Sequence, residues 1–122
     1  MDESLQIMAS EDNAGVIVLR LKGRLDGHAS PMLVDRCSGA LEARLHLILN
    51  LSELTFLSSS GIGALLVLSE DFRDRGVSVR LAGASKTVRL AIVLLNLEGY
   101  LLLHDSEEAA IKAITPPERR AA

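Results

Sequence analysis

Tryptophan is absent, and Phe56, Phe72 and Tyr100 are the only phenyl or phenol rings in the chain. Without stacking platforms, and with a net charge of -3 and no basic cluster, the chain lacks both handles by which nucleic acid is held, so no direct nucleic-acid contact is expected. Cysteine occurs once, at Cys37, which excludes an internal disulfide and any C-x-x-C metal or redox pair. Such a lone thiol belongs on the inner face of a helix. His28, His46 and His104 stand singly, without the i, i+4 pairing of a helical metal site, so neither metal nor cofactor is expected. Long apolar runs are also missing: GIGALLVL (61–68) and LAIVLL (90–95) stop well short of the roughly 18 residues of a membrane span. The opening MDESLQIMAS has no basic n-region of a secretory signal, and a cytoplasmic location is expected.

What remains is aliphatic. Of the 122 residues 48% are hydrophobic, mostly Leu, Val, Ile and Ala, which suits a sheet covered by helices. A chain of this length buries roughly two thirds of its unfolded surface and folds as one domain, here placed over 1–115. LQIMAS (5–10) and VIVLRLKG (16–23) read as an opening hairpin around EDNAG, with Ile17, Leu19 and Leu21 on one face. A helix follows, with Ser30 as its expected N-cap, Pro31 at its first position and Met32, Leu33, Cys37, Ala40 and Leu41 at helical spacing. LHLILNL (45–51) alternates leucines but carries Ile48 on the other face, as a central strand covered on both sides would.

A second helix shows Ile62, Leu65, Leu66 and Phe72 as a stripe interrupted by Ser69, with Gly76 as its stop. VSVRLA (77–82) is a period-two strand, and a third helix carries Val88, Ala91, Ile92 and Leu95 toward Gly99. YLLLH gives a short strand, and Asp105 with Glu108 reads as the capping pair of a last helix ended by Pro116 and Pro117. The tail over 116–122 is expected to be disordered. The order β-β-α-β-α-β-α-β-α predicts one α/β domain, a mixed but mostly parallel sheet of about four to five strands flanked by about four helices.

The chemistry concentrates in FLSSSGIG (56–63), where Ser58, Ser59 and Ser60 fall between the central strand and the second helix. Ligands of open α/β sheets bind beyond the carboxyl ends of strands, and a helix N-terminus welcomes an anion. One hydroxyl suffices as a cap, so three leave room for a further role. A hydrolase elbow would need G-x-S-x-G, yet Leu57 stands where the first glycine belongs; Asp71 and His104 follow Ser59 in hydrolase order, but the chain is too short for the supporting strands. GASKT (83–87) has only the tail of a phosphate-binding loop. Gly61 and Gly63 are expected to keep the surface low, so that another protein can approach the serines closely.

NLSELTFLSSSGIGALL (50–66), with G-R-L-D at 23–26 and an acidic start to the last helix, resembles the STAS domain family over roughly residues 5–114. The family includes bacterial anti-sigma factor antagonists and the cytoplasmic tails of sulphate transporters. The resemblance implies a non-enzymatic antagonist that binds an anti-sigma factor, itself a serine kinase, with a serine phosphatase as the partner that would reset the switch. It also implies a monomer or weak dimer that controls transcription indirectly. Carried over by position, the phosphate acceptor is Ser59, and Asp26 is the carboxylate of the facing loop. The contact surface takes in Asp26, Ser58, Ser59, Ser60, Gly61, Ile62 and Gly63. The chain departs from the family at Ser58, where an aspartate usually stands, which leaves Ser58 and Ser60 as alternative acceptors. Asp26 also reads as an ordinary turn residue beside Gly27. A stand-alone scaffold or adaptor, in a stress-signalling assembly or a membrane lipid transporter complex, is the second role the resemblance implies.

Overall fold

The computed structural model describes residues 4–12 and 15–114. Among these residues five strands form one sheet in the order in which they occur along the chain: β1 (Gln6–Asp12), β2 (Val16–Leu25), β3 (His46–Leu57), β4 (Val79–Ala82) and β5 (Leu102–His104). β1 is antiparallel to β2, and the remaining pairs are parallel. The parallel strands are joined by α1 (Ser30–Glu42), α2 (Ser59–Asp74) and α3 (Lys86–Leu94), and α4 (Glu107–Ile114) follows the last strand. The expected order and layer architecture are therefore present. The expected tail over 116–122 lies outside the described residues.

Alternation along the strands divides the core. Leu19, Leu21, Leu47, Leu49 and Leu81 turn to one face and pack with Leu33, Cys37, Leu65, Phe72 and Ile92 of the three crossover helices. Val16, Val18, Ile48 and Ala82 turn to the other and meet Ala110 of α4. β3 is thus covered on both sides, the reason its sequence carries Ile48 between the leucines. Polar groups fix α4 in place: Arg20 Nε and Nη2 each lie 2.8 Å from a Glu107 carboxylate oxygen, and Asn50 Nδ2 donates to Glu107 Oε2 at 2.6 Å.

Several boundaries differ from the sequence expectations. The central strand runs on through Ser52–Glu53 to Leu57, because β2 also continues to Leu25 and pairs with it across two register shifts. Ser30 is already helical and donates its hydroxyl to Asp26 O at 2.7 Å, whereas the N-cap position belongs to Ala29, with no side-chain cap. α3 stops at Leu94, short of Gly99, where Asn96 takes a positive φ of 58°. Ser106, rather than Asp105, caps α4 by accepting from Ala109 N at 3.1 Å. Gly76 does follow α2 as expected, at φ 78°, a conformation glycine adopts without steric cost.

Candidate functional site

β3 delivers the chain to the serines, and the three hydroxyls then take different surroundings. Ser58 is extended, and its Oγ accepts from Gly61 N at 3.1 Å, the ordinary bond of an N-cap. Its own N–H donates to Leu25 O at 3.0 Å, tying the start of α2 to the end of β2. Ser59 and Ser60 are the first two residues of the helix and are exposed. Ser60 faces Gly27: a Cβ placed on that glycine would stand 3.3 Å from Ser60 Oγ. Ser59 stands exposed on the first turn of a 16-residue helix whose unpaired N–H groups favour negative charge.

The loop after β2 lies against this turn. Asp26 Oδ1 accepts from Ala29 N at 3.0 Å and from His28 N at 3.1 Å, so it organises the turn that enters α1. The Ala29 N–H above all, then the His28 N–H and the Arg24 charge, hold its carboxyl below the usual carboxylate range. Oδ2 points toward Arg24 Nε at 3.8 Å, and the Arg24 guanidinium sits 4.0 Å above the Phe56 ring. An open groove between α1 and α2 continues the surface, lined by Gly27, Pro31, Val34, Asp35, Ser60 and Ala64.

Two of the residues expected on this surface lie beneath it. Gly61 is buried, and a side chain there would run into Leu25 O and Leu57 Cδ1. Ile62 is 8% exposed and belongs to the core. Both therefore seat α2, whereas at Gly63 an added methyl group would meet nothing within 4 Å. The sequence reading missed Arg24, Phe56, Pro31, Val34 and Asp35. Arg24 and Phe56 lie within the quoted G-R-L-D and FLSSSGIG stretches, with nothing in the local pattern to mark their side chains as site residues, while the α1 residues carry no local signal and join the site only through helix packing. Among the described residues no group of His, Cys, Asp and Glu side chains is arranged to hold a metal ion.

The fold is that of a small mixed α/β domain whose sheet order follows the chain, with a serine-bearing helix start beside a carboxylate loop. A family model of the STAS domain matches residues 8–110, and the chain belongs to that family. It is 28% identical over 103 residues to an anti-sigma F factor antagonist of Paenibacillus polymyxa, covering 83% of this chain and 88% of that protein. A Mycobacterium tuberculosis relative, the anti-sigma-F factor antagonist RsfA, is 28% identical over 100 residues, covering 80% of this chain and 78% of the relative. Among solved structures, the anti-sigma factor antagonist SpoIIAA in its unphosphorylated form superposes with a TM-score of 0.73 at 26% identity, over 91% of this chain and all of the other. SpoIIAA of Bacillus in its phosphorylated form gives 0.69 at 24% identity, over 88% of this chain and 99% of the other. Among the described residues no helix is long and apolar enough to cross a membrane.

Proposed function

We propose that this chain is an anti-sigma factor antagonist of the cytoplasm. It binds an anti-sigma factor that is also a serine kinase, and phosphorylation of Ser59 releases it. The observation that carries this reading is the exposed Ser59 on the first turn of α2, beside the Asp26 loop, in a domain whose relatives bear the antagonist name. Ser58 is the weaker acceptor, since it is half-buried and its hydroxyl is engaged in capping; Ser60, exposed beside Gly27, is the alternative acceptor. The usual aspartate is replaced by a serine that still caps, so the helix start survives the substitution.

The switch follows from electrostatics. A phosphate adds about -1.5 to -2 charges, which the helix N-terminus and solvent tolerate in the free domain. A partner packed over the same turn would have to desolvate that charge. A loss of about 3 kcal/mol weakens binding more than a hundredfold. Nothing in this cycle requires catalysis by the chain itself, and a separate serine phosphatase would restore the free hydroxyl.

Affinity isolation from native extract is expected to recover an anti-sigma factor with a kinase domain. Incubating that protein and ATP with wild type and with Ser59→Ala, followed by mass spectrometry, should show phosphate on Ser59 and none in the variant. Unchanged labelling of the variant would remove Ser59 as the acceptor. Recovery of transporter subunits instead would favour the adaptor role, for which the exposed Leu90, Val93, Leu94 and Leu95 on and just beyond α3 offer a second apolar surface.

A further inference from the structure

Along α3 the outward face is as apolar as the inward one. Val88 and Ile92 are buried in the core, yet Leu90, Val93 and Leu94 are 56%, 48% and 71% exposed, and Leu95 at the C-cap is 55% exposed. A helix that is hydrophobic all round is ordinarily a buried one. Of the nine residues of α3 only Lys86, Thr87 and Arg89 are polar, and Arg89 is held by Asp105 at 2.6 Å. Together the four aliphatic side chains expose about 400 Å², within the range of the largest apolar patches on monomers, which are often functional.

Two charges bracket this face and select what covers it. Lys86 is the first residue of the helix, in one stripe with Leu90 and Val93, and Glu98 is exposed in the turn just past its end. Each stands at the end that the dipole of α3 disfavours, a cation at the N-terminus and an anion at the C-terminus. Neither has an ion-pair partner among the described residues. A second α3 laid antiparallel across the first corrects both ends at once, bringing Glu98 of each copy to Lys86 of the other. An anionic lipid surface fits less well, because Glu98 would meet it with like charge and Arg89 is already paired.

We propose that this face is where two copies of the chain pair, α3 against α3 about a two-fold axis, in a weak dimer. Interfaces are about 60% apolar, so about 400 Å² of apolar surface belongs to a footprint of about 650 Å² on each copy. The pair then buries about 1,300 Å², the small end of the class that forms specific complexes, and should dissociate in the micromolar range. The pairing does not depend on the role proposed for the serine turn, which opens a different helix.

Sedimentation velocity of the full chain, from about 1 µM to about 500 µM in about 50 mM salt, where surface charges are weakly screened, should show monomer giving way to dimer. Leu90→Gln with Leu94→Gln exchanges two exposed side chains for one of similar helix propensity, so the fold is retained, and should weaken the dimer more than a hundredfold. Lys86→Glu alone and Glu98→Lys alone should each weaken it about tenfold. The two together should restore it, because the same pairs form with their signs exchanged. A chain still monomeric at about 500 µM would overturn the proposal, whether or not it floats with phosphatidylglycerol vesicles or holds a different protein through α3. So would a dimer that the glutamine variant leaves intact, or one that the double reversal fails to restore.

Discussion

Gly61→Ala and Gly63→Ala make the same chemical change on the same turn of α2 and should move stability in opposite directions. Alanine in place of glycine stabilises a helix by about 0.5–1 kcal/mol. At position 63 nothing lies within 4 Å of the added methyl, so that gain should stand. At position 61 the methyl overlaps Leu25 O and comes within 2.9 Å of Leu57 Cδ1 and 3.1 Å of Leu25 Cγ. Leu25 O cannot retreat freely, because it accepts from Ser58 N at 3.0 Å. Overpacking of this kind costs about 1–3 kcal/mol and a loosened hydrogen bond about 1 more. After the helical gain is set against these, Gly61→Ala should lose about 1–3 kcal/mol, a gap of about 2–4 kcal/mol between the variants. Urea unfolding followed by circular dichroism measures it; with a slope of about 2 kcal/mol per molar, the middle of the usual range, the midpoints should differ by about 1–2 M. Equal midpoints, or a higher one for Gly61→Ala, would refute the claim that this glycine seats α2 against β2.

Ser58→Ala should cost about 1 kcal/mol of stability by deleting the cap, while Ser58→Asp should cap as well and gain from the helix dipole, a comparison that thermal unfolding can make. Glu107 is held below the ordinary carboxylate value of 4.5, first by its hydrogen bond from Arg20 and then by that from Asn50. Its folded value is depressed, so its contribution is present above about pH 4.5 and is lost as pH falls through the folded value. Glu107→Gln should therefore lower the melting temperature at neutral pH and flatten its decline below that pH. Burial pushes the Cys37 thiol up to about 12, so Ellman's reagent at pH 8 should leave it unmodified until denaturant is added. Rapid modification of the native chain would show that α1 does not cover it.

The elements with strong periodicity were legible from the residues alone. Alternating leucines with Ile48 between them announced a strand buried on both faces, and the spacing from Leu33 to Ala40 announced α1, because in both cases burial on a defined face dictates the pattern. The end of β3 was not legible: the alternation of leucines that marks the strand over 45–51 stops at Leu51, and pairing with the prolonged β2 carries it on through Ser52 and Glu53. Helix starts were misplaced where two polar residues compete for one cap, as with Ser106 beside Asp105. At the site, Ser58, Ser59 and Asp26 were visible as motif residues. The burial of Gly61 and Ile62 was not: Gly61 is enclosed by Leu57 and by Leu25, the latter far away in sequence, and Ile62 joins a core gathered from the whole chain.

Because β1 to β5 lie side by side in chain order, every crossover advances in the same direction and no two neighbouring connections part to opposite faces. The cleft that many α/β enzymes inherit for a nucleotide, at the point where a sheet reverses its order, is thus never created here. The relief at the carboxyl edge of this sheet comes instead from the groove between α1 and α2 and from a hollow between Phe56 at the end of β3 and Thr87 at the start of α3.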